Sequence, residues 1–222
     1  MENLLNEQIA EQVRQIFDAQ LKQPVEILFF GVQEGCETCD DTRRLAEEVV
    51  AISDKLHLSV YDLNEHADVA ARYGVDKAPG MVIAARDGET LTDYGVRLSG
   101  IPSGHEFTTL IQDLLLVSSR DSGLSQPTRD YLKSLDRPLH MQVFVTPTCP
   151  YCPRAVVLAH QMAIESPLVS AEMVEAMEFP ELADKFGVSG VPQTTINDGA
   201  GTLVGAAPEE YLVAEIRKAL RN

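Results

Sequence analysis

Apolar residues at Ile9, Val13, Ile16, Phe17 and Leu21 recur every three or four positions, the stripe of an amphipathic helix over residues 6–21 that Pro24 closes. Residues 25–30 are a nearly unbroken apolar run of strand length, interrupted by Glu26. After a loop at 31–35, Leu45, Val49 and Ile52 mark one face of a helix over 40–53. A strand at 56–63, a short helix at 66–73 stopped by Gly74, and a strand at 81–85 follow. Asp87-Gly88 is a hairpin signal that joins this strand to a partner at 91–98, and a helix at 107–117 closes the series.

The series then begins again. Residues 118–126, with Gly123 inside and Pro127 behind, read as a linker, and 128–135 as a short helix. Strands at 139–145, within 167–174, at 194–197 and at 202–204 repeat the first set. Helices at 155–162, 179–186 and 208–220 accompany them, the last opened by Pro208. Cys36, Gly74 and Pro79 recur, all at one constant offset, as Cys149, Gly187 and Pro192. Arg72-Tyr73-Gly74-Val75 likewise matches Lys185-Phe186-Gly187-Val188. Three landmarks at one offset indicate a duplicated unit, a βαβ segment followed by a β-hairpin and a helix, with the shorter hairpin in the second copy. The predicted division is residues 1–118 and 119–222, each of ordinary domain size.

Composition narrows the function. The chain of 222 residues is 45% hydrophobic and 23% charged, as expected of a folded globular protein. Its net charge of −16 argues against nucleic acid or an anionic membrane as partner, since both require basic patches. Residues 1–8 lack a basic segment and an apolar core, so no signal peptide is expected, and no apolar run reaches the ~18 residues of a membrane span. The expected compartment is the cytoplasm. The 4 cysteines fall as two close pairs, Cys36/Cys39 and Cys149/Cys152. In that compartment such pairs are more often catalytic or metal-binding than structural.

Cys149-Pro150-Tyr151-Cys152 lies between a strand and a helix, the context in which C-x-x-C signals redox chemistry. At a helix start, unpaired backbone N–H groups and the helix dipole favour a thiolate on Cys149. Cys152, one turn on, is placed to attack a mixed disulfide formed there. Cys36-Glu37-Thr38-Cys39 repeats the arrangement. The alternatives are zinc, held by two pairs widely separated in the sequence, an iron–sulfur cluster, or a first pair that is merely a structural disulfide. The histidines His57, His66, His105, His140 and His160 show no ligand spacing, and His105 and His160 are expected to be solvated on helices. Glu26 is a candidate proton acceptor for the resolving thiol.

Cys-Pro-Tyr-Cys is the glutaredoxin active-site sequence. Val191-Pro192 and Ala78-Pro79, each at the same interval after the first cysteine of its pair, resemble the cis-proline loop of the thioredoxin and glutaredoxin superfamily. From about Ile27 onward, two such units in one chain resemble the protein disulfide oxidoreductases, or glutaredoxin-like proteins, of thermophiles. The N-terminal domain of the peroxiredoxin reductase flavoproteins is built similarly, but its first half has lost the cysteines that this chain keeps. The resemblance implies an α/β fold of two tandem thioredoxin-like units, each a central mixed β-sheet flanked by helices, with the two sheets joined into one. It implies Cys149 and Cys36 as nucleophiles and Cys152 and Cys39 as resolving cysteines. It implies cis peptides at Pro192 and Pro79, with the backbone of Val191 and Ala78 and the ring of Tyr151 meeting an extended substrate.

The implied activity is thiol–disulfide exchange on protein substrates, reducing, forming or isomerising disulfides, with no cofactor and no resident metal. The implied electron partner is a thioredoxin reductase-like flavoprotein. The rival roles are electron donor to a peroxiredoxin and, in another class, a metal or iron–sulfur binding module. Gly205-Ala206-Ala207-Pro208 replaces the Gly-Gly turn and acidic residues with which glutaredoxins hold glutathione, which argues against a glutathione site. Glu37, Asp40 and Asp41 surround the first pair with negative charge, whereas Arg154 follows the second. Nearby carboxylates disfavour a thiolate, so Cys149 is expected to be the more reactive thiol.

Overall fold

The computed structural model describes residues 4–221; residues 1–3, part of the stretch read as lacking a signal peptide, and residue 222 lie outside the described residues. Helix α1 (Glu7–Gln20) is capped by Asn6, whose side chain accepts the Ile9 N–H. The first half continues as β1 (Val25–Gly31), α2 (Cys39–Val50), β2 (Leu56–Asp62), α3 (Ala67–Arg72), β3 (Gly80–Asp87), β4 (Thr90–Ser99) and α4 (Glu106–Ser119). The second follows as α5 (Gln126–Lys133), β5 (Leu139–Val145), α6 (Cys152–Glu165), β6 (Val169–Glu175), α7 (Pro180–Lys185), β7 (Gln193–Ile196), β8 (Gly201–Val204) and α8 (Glu209–Ala219). The second hairpin turns through a short 3₁₀ segment, Asn197–Gly199, and its strands have 4 residues each, the abbreviation expected from the sequence.

All eight strands form one sheet in the order β2-β1-β3-β4-β6-β5-β7-β8. Within each half the pairings repeat. β1 pairs parallel with β2 and antiparallel with β3, as β5 does with β6 and β7. The halves meet where β4 pairs parallel with β6, Val96 opposite Ala171 through Ser99 opposite Val174. The expected continuous sheet is therefore present.

Alternation along the strands sorts the side chains onto two faces. Val25, Ile27 and Phe29 of β1 and Met141, Val143 and Val145 of β5 enter one large core, shared by residues from both halves and covered by helices that include α1, α2, α4, α6 and α8. Leu28 and Phe30 pack under α3, and Phe144 under α7, in two smaller clusters on the other face. Among the described residues no helix is long and apolar enough to cross a membrane.

The seam has polar as well as backbone ties. Glu172 of β6 accepts hydrogen bonds from Ser99 of β4 (2.5 Å) and Gln142 of β5 (2.8 Å) and pairs with Lys77 (3.0 Å). Burial works against the Lys77 ammonium, yet the carboxylates of Glu172 and Asp76 hold its pKa above the usual value.

Beside the seam, β4 shifts register against β3, and Gly95 there has φ +81°. A Cβ on Gly95 would lie 2.7 Å from the Val169 carbonyl oxygen and 3.1 Å from Ser170 Cα. Gly95→Ala is therefore expected to cost roughly 2–3 kcal/mol in urea unfolding. Gly88→Ala should cost about 1 kcal/mol, because at φ +62° an added Cβ meets nothing within 4 Å there. Equal losses at the two positions would show that the seam accommodates the methyl group.

Candidate active site

Both C-x-x-C segments stand at one edge of the sheet. β1 and β5 point the same way, and each leads at its C-terminal end into a cysteine-bearing turn and then a helix. Each pair is closed as a disulfide, with a Cα–Cα distance of 5.5 Å. Four ladder steps separate β1 from β5, roughly 19 Å at strand spacing. A single four-cysteine zinc site, with bonds of about 2.3 Å, does not span that gap.

The helices begin at the second cysteine of each pair, Cys39 in α2 and Cys152 in α6, so the first cysteine sits on the turn just ahead of the helix. Access follows that order: Cys152 is fully buried and Cys149 7% exposed, while Cys39 is 5% exposed and Cys36 half-buried. The two helix starts differ in charge. Asp40 and Asp41 occupy the first turn of α2, whereas α6 has no acidic residue in its first turn.

The prolines lie where the family resemblance implies. The Ala78–Pro79 and Val191–Pro192 peptides are both cis, immediately ahead of β3 and β7 on the same sheet edge as the cysteines. The Pro79 carbonyl accepts the Gly100 N–H (2.9 Å) and the Pro192 carbonyl accepts the Gly205 N–H (2.8 Å). Ala78, Pro79 and Cys36 line a common cleft of about 340 Å³, walled on one side by Met177, Glu178 and Pro180 of the second half. At the second site Pro192 is buried, Val191 is half-buried, and Tyr151 stands 70% exposed on the cysteine turn. A cleft of about 800 Å³ flanks that turn, lined by Pro150, Pro153 and Arg154 opposite Ala207 and Pro208.

Two sequence expectations are corrected. Glu26 faces away from the first cysteine pair: it lies on the strand face of Leu28 and Phe30, pairs with Arg86 (2.5 Å) and accepts from Ser59 (2.7 Å). It also sits near the start of β1, roughly 16 Å from the end that carries the cysteine turn. His160 is not solvated. It is fully buried on α6, with Nδ1 2.9 Å from Asp113 Oδ1 and Nε2 3.1 Å from the Arg97 carbonyl.

That histidine belongs to a buried polar group the sequence reading missed. Glu106, Thr109 and Asp113 project from α4 into the core. Thr109 donates to Glu106 Oε2 (2.6 Å), while Glu106 Oε1 and Asp113 Oδ2 have no hydrogen-bond partner among the described residues. Burial raises the Glu106 pKa from 4.5 to about 7, the Thr109 hydrogen bond opposing it and Asp113 adding to it. Burial likewise raises Asp113, against the pull of His160. The start of α4 is fixed on the second cysteine loop. The His105 N–H donates to the Pro147 carbonyl (2.9 Å), and a Cβ on Gly104 would collide with that oxygen. With 105 beside 147 and 113 beside 160, α4 and α6 run parallel, and Glu106 lies at the end of α4 that matches the Cys152 end of α6. The available signal was acidic and hydroxyl residues on the apolar stripe of α4, at positions 106, 109 and 113 beside Leu110, Leu114 and Val117.

A dithiol turn at a helix start, opposite a cis-proline and at the edge of a mixed sheet, defines the thioredoxin-fold class, present twice in one chain. A thioredoxin domain model matches residues 139–218. The crystal structure of a protein disulfide oxidoreductase from Aeropyrum pernix is 33% identical and superposes with a TM-score of 0.87 over 97% of this chain and 94% of that one. The chain belongs to the protein disulfide oxidoreductase family. The alkylhydroperoxide reductase component AhpF from Enterococcus faecalis is 27% identical, with a TM-score of 0.86 over 96% of this chain and 99% of that one. An NADH dehydrogenase of Bacillus subtilis is 27% identical over 72% of this chain and 28% of its own length. The chain spans about a third of the length of the curated relatives it matches.

Reduced chains left with a single cysteine are expected to show Cys149 alkylated at pH 7 roughly tenfold faster than Cys36, because carboxylates flank only the first pair, despite the greater exposure of Cys36. A faster Cys36 would reverse the electrostatic ranking.

Glu106 makes stability depend on pH. Its folded pKa is about 7 against an ordinary 4.5, so between those values the folded chain holds a proton that the unfolded chain releases. Stability then falls as pH rises through that window, by up to ~3 kcal/mol from this group. Glu106→Gln should remove that slope, with urea midpoints that separate progressively between pH 4.5 and about 7 in favour of the variant and stay apart above it. Parallel midpoint profiles in the two chains would refute the assignment.

Proposed function

We propose that this chain is a protein thiol–disulfide oxidoreductase that exchanges electrons with disulfides and dithiols of polypeptide substrates. The observation that carries the reading is the graded access within each pair: Cys36 is half-buried and lines a cleft while Cys39 is buried, and Cys149 keeps a slight exposure where Cys152 has none. A nucleophile must meet the substrate, and a resolving thiol must meet only the mixed disulfide.

The Cys149 thiolate attacks one sulfur of a substrate disulfide, and the departing sulfur takes up a proton. Cys152 then loses its proton and attacks the Cys149 sulfur. The second substrate thiol leaves, and the enzyme retains the disulfide; two electrons have passed to the substrate. The reverse order installs a disulfide. Direction depends on relative reduction potential, with 30 mV equal to about 1.4 kcal/mol for this couple. Glu106, buried with an unpaired oxygen and a pKa of about 7, is suited to accept the Cys152 proton and return it. Ala78 and Val191 are assigned to main-chain pairing with an extended substrate beside Pro79 and Pro192, and Tyr151 to an apolar contact at the rim. Cys36 and Cys39 form a second centre working by the same steps.

The reading divides the chain into units 1–118 and 119–222 and places it in the cytoplasm, with a thioredoxin reductase-like flavoprotein as electron source. Similarity to the alkylhydroperoxide reductase component AhpF favours a second role, electron donor to a peroxiredoxin.

The purified chain is expected to speed insulin disulfide reduction by dithiothreitol. Cys149→Ser should abolish most of that activity, and Cys36→Ser should leave most of it. Equal activity in the unaltered chain and a chain lacking all four thiols would overturn the proposal. Peroxide turnover with an added peroxiredoxin and flavoprotein separates the second role from the first.

A further inference from the structure

We propose that Glu178, carried by the second half, is a positioning residue of the first redox centre, so that the second half sets the electron affinity of the Cys36/Cys39 pair. The proposal rests on the reading of that pair as redox-active. Thr38 lies between the two cysteines and is the N-cap residue of α2, yet its side chain makes no capping bond to the helix. Its hydroxyl donates across the seam to Glu178 Oε2 instead. The other oxygen, Oε1, accepts the Ile101 N–H (2.7 Å), and the Glu178 N–H donates to Glu175 Oε2 (2.7 Å). The residue is thus gripped from three elements: the active-site turn, the segment leaving β4 and the end of β6.

Space for it comes from Gly100. A Cβ there, at φ +93°, would lie 2.6 Å from Glu175 Cβ and 2.8 Å from Glu178 Oε1. Glu178 also walls the cleft into which Cys36 opens.

The arrangement is one-way. At the offset that relates the two halves, the counterpart of Glu178 is Glu65, which accepts from Gln33 (3.1 Å) in its own half. The counterpart of Thr38 is Tyr151, exposed on the second turn. Only the first centre is therefore tied, among the described residues, by a carboxylate of the opposite half. The tie is present with the disulfide closed, and the negative charge opposes a thiolate in the open form. The charge favours the disulfide, as does the tie to the extent that it weakens when the pair opens, and both vanish when Glu178 is truncated.

The test is the dithiol–disulfide equilibrium of each pair in full-length chain, read by thiol trapping and mass spectrometry in graded redox buffers. Glu178→Ala should shift the first pair toward the dithiol by about tenfold, ~30 mV for a two-electron couple, and leave the second pair within twofold. Glu178→Gln, which keeps a hydrogen-bonding group but no charge, should fall between. Thr38→Val should shift the first pair in the same direction, and adding it to Glu178→Ala should give less than the sum of the two. A first pair unmoved by Glu178→Ala, or a second pair moved as far as the first, overturns the proposal. A first pair that never cycles in the unaltered chain overturns instead the redox reading of that centre.

Discussion

The parallel pairing of β4 with β6 is the contact on which the rest of the molecule depends. Without it each half would end in an exposed edge strand, a row of unpaired N–H and C=O groups open to aggregation. With it, eight strands become one sheet and the main core becomes continuous from α1 to α8. The Glu172 network adds a directional component, because a buried carboxylate must be met by hydrogen bonds and a positive charge. Gly95 and Gly100, at either end of the joined stretch of β4, let the second half approach as closely as it does.

That joint also makes the two cysteine turns neighbours on one edge, and each half supplies atoms to the surroundings of the other's turn. The first half sends α4 alongside α6, with His105 held on the Pro147 carbonyl and Asp113 on His160. The second half sends Glu178 to Thr38 and Met177 to the cleft over Cys36. The duplicated unit is not used symmetrically. Glu106 on α4 stands at the Cys152 end of α6, while a carboxylate tied into a hydrogen-bonded loop stands beside Cys36. Two similar dithiol turns thereby acquire different electrostatic settings, which one unit repeated without contact would not have.

Much of this was legible in the chain. The apolar periodicities set the order of strands and helices, because side-chain direction in each is fixed by backbone geometry. The constant offset between the halves discloses the duplication, and C-x-x-C between strand and helix discloses the chemistry. The cis-prolines are implied by the family resemblance, which the shared interval after the first cysteine of each pair supports. These are local or repeated signals, and they survive without knowledge of packing.

What the tertiary structure decided was every relation that crosses the seam or depends on which side of an element faces inward. Glu26 reads as a suitable acid in the strand before the first cysteines, but strand alternation turns it to the opposite face, toward Arg86. His160 and Asp113 lie 47 residues apart in sequence and meet because α4 and α6 pack in parallel. Thr38 and Glu178 lie 140 residues apart and meet because β4 joins β6. A single sequence records which groups are present and how they alternate; proximity between distant groups arises from burial and strand pairing, which the whole folded chain settles together.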